Sequence, residues 1–190
     1  MDVLLSVCLG LGLAAACGFR VFVPFLVVNL AAQSGYLVLD GGFEWIASTP
    51  ALITLAVATA LEIAAYYIPW LDNLLDSVAT PAAVVAGIVV TASVVTGIDP
   101  YLKWSLAVIA GGGVAGAVQA TTVGARGASS LTTGGLANPL VTTAEIGGSV
   151  LLSGMAIGLP LLTALVVLVL MGLAARRGRR RAASPPVSPD

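Results

Sequence analysis

The sequence contains no histidine, and charged residues make up only 9% of its 190 residues. Without histidine there is no imidazole to bind a metal or a haem iron, and the usual proton shuttle at neutral pH is missing. An ordinary soluble domain carries roughly 25% charged residues. Because 58% of this chain is hydrophobic and its mean hydropathy is +1.05, lipid rather than water is its expected solvent.

Motifs for covalent catalysis and nucleotide binding are also missing. Hydroxyl side chains are plentiful, but the sequence has neither a Ser-x-x-Lys pair nor a Gly-x-x-x-x-Gly-Lys loop. Cys8 and Cys17 lie nine residues apart on one predicted helix, on opposite faces, and cannot bond to each other there. We therefore expect no enzymatic activity, no cofactor and no nucleic-acid partner.

Several apolar runs approach the ~20 residues that cross a ~30 Å hydrocarbon core, which predicts an all-α membrane bundle. Proline is tolerated at the first helical position, so a capping residue followed by proline marks a helix start. Such pairs are Thr49-Pro50, Thr80-Pro81, Asp99-Pro100 and Asn138-Pro139. The six predicted spans cover residues 3–20 with an apolar extension to 33, 50–69, 81–98, 101–124, 139–157 and 160–175.

The first apolar run is too long for one span. A single helix over residues 3–32 would measure about 45 Å, so a break is expected. Gly18 and Pro24, on either side of Arg20, are residue types at which helices kink. The segment after the break is predicted to be either a half-helix that turns back or an element on the membrane surface. The sequence leaves open the depth of residues 21–33 and 127–138.

The two halves of the chain carry similar motifs in the same order. A Gly-x-Arg motif occurs at 18–20 and at 124–126, and a Glu-Ile motif with two small residues occurs at 62–65 and at 145–148. Three predicted spans per half is an odd number, so the second copy would be inverted relative to the first, as in many small transporters.

The domain organisation follows from these repeats. One integral-membrane domain is predicted over residues 1–175, with repeat halves at about 3–98 and 101–175. Residues 176–190 are predicted to be a tail that is basic at first and then disordered, because its end has little apolar content.

Five of the eight basic residues follow the last apolar run, namely Arg176, Arg177, Arg179, Arg180 and Arg181. Clustered arginines face the cytoplasm, and six spans would bring the N-terminus to the same side of the cell membrane. The arginines are expected to contact anionic lipid head groups of the inner leaflet. A mass of 19.0 kDa is small for a lone transporter, which favours a homodimer.

Two carboxylates fall within predicted spans. Glu62 lies about 18 Å past Pro50, near the middle of the ~30 Å core, and Glu145 lies about 9 Å past Pro139. Ionisable residues at such depth face the bundle interior, a partner or water, and are candidates for function. Either carboxylate could bind a cation or a proton, or could lock neighbouring helices together. The two interpretations are balanced for Glu62, and helix locking is favoured for the shallower Glu145.

Arg20 and Arg126 come at the far ends of the first and fourth predicted helices. A cation is stabilised there by the unsatisfied carbonyls and the negative end of the helix dipole, and this structural role is favoured. The alternative is a clamp for an anion or a carboxylate, since guanidinium presents a fork to such groups. The sequence leaves open whether the arginines pair with Glu62 and Glu145.

Asp72 and Asp76 are four residues apart and share a face if their connection is helical. With Asn73 they could hold a hard divalent cation through oxygen ligands, or they could be solvated loop acids. Tyr66 and Tyr67 lie near a predicted helix end and are assigned to the aromatic belt at the membrane surface.

A resemblance to a known family rests on the strings Gly18-Phe19-Arg20-Val21-Phe22-Val23-Pro24-Phe25, Leu61-Glu62-Ile63-Ala64-Ala65-Tyr66-Tyr67-Ile68-Pro69-Trp70-Leu71-Asp72, Asp76-Ser77-Val78-Ala79-Thr80-Pro81 and Gly124-Ala125-Arg126-Gly127. Over residues 1 to about 175, the chain resembles the multi-spanning membrane family catalogued as domain of unknown function 4126. The resemblance implies a multi-spanning membrane protein with these charged positions as a shared motif, and it implies no particular activity.

The leading functional expectation is a small-solute or ion transporter, or a channel component. Glu62 and Glu145 would be its intramembrane carboxylates, Arg20 and Arg126 their counter-charges, and Asp72 with Asp76 the acids at the mouth of the bundle. The alternative is a structural or assembly membrane protein whose buried charges hold helices together.

Overall fold

A computed structural model describes residues 2–182, and within them the side chains outside 69–76 and 177–182. Every regular element in this part of the chain is helical, which confirms the all-α prediction. The elements are α1 (Val3–Cys17), α2 (Phe22–Gln33), a 3-10 turn (Glu44–Ala47), α3 (Thr49–Ala65), α4 (Pro69–Val94), α5 (Pro100–Leu106), a π-helical segment (Ala107–Gly112), α6 (Gly113–Thr133), α7 (Asn138–Gly158) and α8 (Pro160–Ala182).

Several of these helices are apolar enough for a membrane. Three stretches combine the length and the composition of a membrane span: Ser77–Val94, the continuous rod Pro100–Thr133 made by α5 to α6, and Asn138–Gly158. The shorter apolar helices are Val3–Cys17, Phe22–Gln33, Thr49–Ala65 and Pro160–Arg176. The described chain therefore has the character of a helical membrane protein.

Proline and its neighbours mark most helix starts as predicted. The Ser48 hydroxyl accepts a hydrogen bond from the Ala51 N–H, and the Asp99 carboxylate accepts one from the Tyr101 N–H, so both caps precede helices with proline in the first turn.

The start predicted at Thr80-Pro81 is wrong, because α4 begins at Pro69 and carries Pro81 in its interior. The residue before Pro69 is apolar Ile68. Because the prediction required a polar capping residue before the proline, it did not identify Pro69 as the start of the helix.

The first apolar run breaks where expected. Helix α1 ends at Cys17 and α2 begins at Phe22. The chain after α2 returns to the end of the bundle where α1 begins, because the Asp40 N–H donates to the Ser93 carbonyl at 2.8 Å and Val3 lies beside Gly97. Helix α2 is thus a half-helix that turns back along α1.

Helix α1 lies at the centre, packed against α4, α7, α8 and α6. Glycines allow the close approach: a Cβ atom placed on Gly12 would lie 2.7 Å from the Ala156 Cβ, and one on Gly18 would lie 2.5 Å from the Val118 Cβ. Small residues at helix contacts are what packing in lipid requires, since lipid tails are as apolar as the side chains.

The neighbours of the glycines also show the relative directions of the helices. Because Gly10 of α1 meets Thr91 while Val3 lies beside Gly97, α1 and α4 are antiparallel. Helices α4 and α6 are antiparallel too, because Gly111 lies against Thr91 and Gly116 against Val84. Helices α1 and α6 therefore run in the same direction.

These directions do not confirm the six-span inverted repeat, in which the two Gly-x-Arg helices would run in opposite directions. The reason is the extra pass made by α2. The first half has four helical passes, α1 to α4, and an even number brings the chain back to its starting end.

The directions of the first and last helices bear on where the two ends of the helical chain lie. Gly12 of α1 meets Thr163, early in α8, while Phe19 and Met171 lie together further along both helices. Helices α1 and α8 thus run in parallel, so the start of α1 and the end of α8 lie at opposite ends of the bundle.

Candidate functional site

Charged residues from distant parts of the chain meet beyond the end of α1. Arg20 lies in the turn between α1 and α2, Arg126 on α6 and Glu145 on α7. The Arg20 Nη2 donates to Glu145 Oε2 at 2.8 Å, and the Arg126 Nε donates to Glu145 Oε1 at 3.0 Å. The Arg126 Nη2 also donates to Glu145 Oε2. One carboxylate therefore joins a guanidinium group from the α1–α2 turn to one from α6.

All three of these side chains are removed from solvent. Arg20 is 1% exposed, Arg126 3% and Glu145 4%. A buried charge is costly unless it is paired and hydrogen-bonded, so the two arginines depend on the carboxylate between them. The locking role favoured for Glu145 in the sequence matches this geometry.

Glu62 reaches the same place in a different way. It lies in the last turn of α3, near the end of that helix and not at its middle, and it is partly buried. Its Oε1 accepts the Val21 N–H at 2.8 Å and its Oε2 accepts the Phe22 N–H at 3.1 Å. A carboxylate at the first N–H groups of a helix is favoured by hydrogen bonding and by the helix dipole. Glu62 thus caps α2, directly after Arg20.

Tyr66 is the neighbour that sequence reasoning missed. The Arg20 Cζ lies 3.9 Å from the centroid of the Tyr66 ring, and the Arg126 Cζ lies 4.3 Å from the same centroid. Cations over a ring face are attracted by its quadrupole, more strongly where water is excluded. Tyr66 was assigned to the aromatic belt, yet it is buried. Its position one helical turn after Glu62 is the signal that could have found it.

A line of polar residues on α7 leads away from the cluster. We call Thr142, Glu145, Ser149 and Ser153 the polar stripe, and all four are buried. The Ser149 hydroxyl donates to the Ala16 carbonyl of α1 at 3.0 Å, and the Ser153 hydroxyl donates to the Ser149 carbonyl at 2.7 Å. Their spacing of three to four residues is the period of one helix face, so the sequence contained this signal.

Arg20 keeps hydrogen-bonding capacity inside the cluster. Its Nε and Nη1 are buried and have no hydrogen-bond partner in the structure. A guanidinium carries five N–H donors, so Arg20 can donate hydrogen bonds to a further oxygen or anion without losing Glu145. Among the residues that the structure describes, no group of three or more Cys, Asp or Glu side chains could hold a metal ion.

Two other predicted sites stay untested. The proposed cation ligands Asp72, Asn73 and Asp76 lie outside the described side chains, as do Arg177, Arg179, Arg180 and Arg181. Arg176 is described and is exposed.

The fold and the cluster together define a class: an all-helical protein with helices apolar enough to span a membrane and a set of charges buried among them. The chain belongs to the family described as Domain of unknown function (DUF4126), which matches residues 7–180. The resemblance drawn from the sequence motifs is thereby confirmed. Neither the curated proteins nor the solved structures contain a significant match to the chain.

Proposed function

We propose that this protein is an integral-membrane transporter or channel component for a small solute or ion. The observation that carries the proposal is the meeting of Arg20, Arg126, Glu145 and Glu62 at one place in an apolar bundle. Charged side chains among membrane helices are costly, and they commonly mark solute or ion pathways. Helix packing alone is achieved at lower cost by apolar side chains.

The polar stripe supports the same proposal. From Thr142 to Ser153 it covers about 16 Å along α7, roughly half of a ~30 Å hydrocarbon core. The Ser149 and Ser153 hydroxyls now donate to backbone carbonyls, and a solute that leaves the charged cluster would take the place of those acceptors. Lipid-facing helices need no such groups, because hydrocarbon offers them no partner.

The two carboxylates would have different tasks. Glu145 is bonded to both arginines, so its task would be to hold them. Glu62 is bonded to backbone N–H groups and is less buried, so it would be the group that takes up a cation or a proton. Arg20 and Arg126 would act as counter-charges, and Arg20 would have donors to spare for a ligand.

The test is flux through proteoliposomes loaded in turn with an indicator for H⁺, Na⁺, K⁺ or Cl⁻, with a gradient of the matching ion applied. The wild-type protein is expected to raise the flux of at least one of these ions above that of empty vesicles. Glu62→Gln keeps the size of the side chain and one oxygen that can accept one of the two backbone N–H groups, so it should still fold and should lose that flux. Glu44→Gln is the matched control, because Glu44 is exposed and far along the chain from the cluster. Equal flux through wild-type protein and Glu62→Gln would contradict the role of Glu62.

A structural or assembly protein is the second candidate. The observation that favours it is the burial of Glu145 and of both arginines. Their ion pairs connect the end of α1 with α6 and α7 without exposure to water. A stable Glu62→Gln variant together with an unstable Glu145→Gln variant, and no flux through the wild-type protein, would favour this candidate.

Location and assembly belong to the same proposal. The arginines at the end of α8 support a cytoplasmic C-terminus at the cell membrane. Since α1 and α8 run in parallel, the N-terminus would then lie on the opposite side. The small mass favours a homodimer, which light scattering of the detergent-solubilised protein would detect.

A further inference from the structure

An open groove runs between α6 and α8, close to the end of α8. We call it the α6–α8 groove; its volume is about 520 Å³, and its walls include Phe19, Val118, Thr121, Leu170, Met171 and Ala174. The Thr121 hydroxyl donates to the Ala117 carbonyl of its own helix at 3.0 Å. The walls therefore offer hydrocarbon contacts, and the groove suits an apolar chain.

Positive charge begins where the groove ends. Ala175 is the last wall residue on α8, and the exposed Arg176 follows it directly. Arg176 lies about 9 Å along the helix axis from Leu170. Four more arginines, Arg177, Arg179, Arg180 and Arg181, follow in the sequence. An apolar groove with cations at one end matches a molecule that has a hydrocarbon chain and an anionic head.

We propose that the α6–α8 groove binds one acyl chain of an anionic phospholipid, whose phosphate is held by Arg176 at the end of the groove, with the arginines that follow it in the sequence adding positive charge. Basic residues next to a membrane helix attract anionic lipids, and buried acyl carbons add affinity. The proposal concerns a lipid site and does not depend on transport.

A second copy of the chain suits this groove less well. A symmetric dimer formed through the same surface would bring the exposed Arg176 of both copies to one interface, and like charges facing each other oppose association. An anionic lipid removes that repulsion instead of adding to it.

The groove also borders the charged cluster. Phe19 forms part of its wall and precedes Arg20, and a Cβ atom placed on Gly148 of α7 would lie 3.8 Å from the Phe19 ring. Lipid in the groove would thus pack against a ring that also lies beside Gly148 of α7. Occupancy of the groove should therefore stabilise the turn that holds Arg20.

The experiment is native mass spectrometry of delipidated, detergent-solubilised protein titrated with phosphatidylglycerol or with phosphatidylcholine of the same acyl chains. Wild-type protein is expected to bind one phosphatidylglycerol at least about tenfold more tightly than phosphatidylcholine, given five nearby arginines. Replacing all five arginines by glutamine should remove the preference for phosphatidylglycerol while the affinity for phosphatidylcholine is kept.

The groove itself is tested by Ala174→Trp, which fills it from an exposed position, with Val169→Trp as a control on an exposed part of α8 outside its walls. Ala174→Trp should abolish tight binding of both lipids and Val169→Trp should not, with circular dichroism showing that both variants are folded. Unchanged phosphatidylglycerol binding by Ala174→Trp would overturn the proposal, because the arginines alone would then hold the lipid. A wild-type dimer that Ala174→Trp splits would overturn it too, because the groove would be an interface between copies.

Discussion

Replacing Glu145 by glutamine should destabilise the protein strongly. The change leaves Arg20 and Arg126 buried without the carboxylate that both of them bind. Breaking one buried ion pair costs about 3–5 kcal/mol because a charge is left uncompensated. Since one carboxylate serves two buried cations here, we expect the upper end of that range, about 5 kcal/mol.

The expected loss translates into a large change in melting temperature. For a chain of this size, 1 kcal/mol corresponds to about 2–4 °C, so Glu145→Gln should lower the Tm by about 10–20 °C. The assay is thermal unfolding in detergent followed by circular dichroism. Glu44→Gln, which removes an exposed carboxylate of the same size, is the control and should melt within about 2 °C of wild type, as surface changes usually do.

A second substitution should recover part of the loss. Arg20 has two buried donors without a hydrogen-bond partner, so in Glu145→Gln it becomes the more poorly compensated cation. Adding Arg20→Gln removes that charge and should restore part of the lost Tm, because the guanidinium that lost its hydrogen-bonded carboxylate is gone. A Tm for Glu145→Gln within about 2 °C of wild type would refute the reasoning, since the shared carboxylate would then carry no stability.

Two further predictions concern the aromatic ring and the topology. Tyr66→Leu should lower the free energy of unfolding by about 2–4 kcal/mol, because two desolvated cation–π contacts of about 1–2 kcal/mol each are lost. Chemical denaturation measures this free energy, with Tyr36→Leu at an exposed tyrosine as the control. A Tyr66→Leu variant as stable as the wild-type protein would contradict the stacking of the two arginines on the ring. A reporter that is active only outside the cytoplasm should be silent when fused after residue 182 and active when fused before Val3, because the start of α1 and the end of α8 lie at opposite ends of the bundle. If both fusions were silent, both termini would be cytoplasmic and the chain would cross the membrane an even number of times.

The residues of the cluster were predictable, but their pairing was not. Ionisable side chains stand out in a chain with so few charges, so Glu62, Glu145, Arg20 and Arg126 were found from composition and spacing. Which of these residues pair with each other depends on contacts between distant parts of the chain. Arg20 and Glu145, for example, are 125 residues apart, and no local sequence pattern encodes such a contact. The sequence therefore identified the members of the site and left its geometry open.

The role of Tyr66 could not be separated from that of other aromatic residues near helix ends. Tyrosine at a helix end in an apolar chain is typical of an interfacial belt, and neighbouring Tyr67 is indeed exposed. Only the helical register, which turns Tyr66 inward beside Glu62, distinguishes the two rings. Burial of a ring is a tertiary property that depends on where α6 and α7 pack.

Three of the four polar residue–proline pairs marked a helix start, and the fourth did not. Pro50, Pro100 and Pro139 lie in the first turns of their helices, whereas Pro81 lies inside α4 even though Thr80 precedes it. The six-span inverted repeat is not confirmed, because the pass made by α2 was not predicted. Helix α2 has 12 residues, fewer than a span needs, so a length criterion does not count it as a crossing of the bundle.

The binding of the α1–α2 turn by Glu62 and Glu145 has a consequence for the synthesis of the chain. Residues 20 to 22 are held by two carboxylates, and Glu62 follows Val21 by 41 residues whereas Glu145 follows Arg20 by 125. At about 5–20 residues per second, the ribosome delivers Glu145 roughly 6–25 s after Arg20. Throughout that interval the guanidinium lacks its buried counter-ion, so a stable inward position for Arg20 has to await the insertion of α7. The turn is among the first parts of the protein to be synthesised and among the last to be completed.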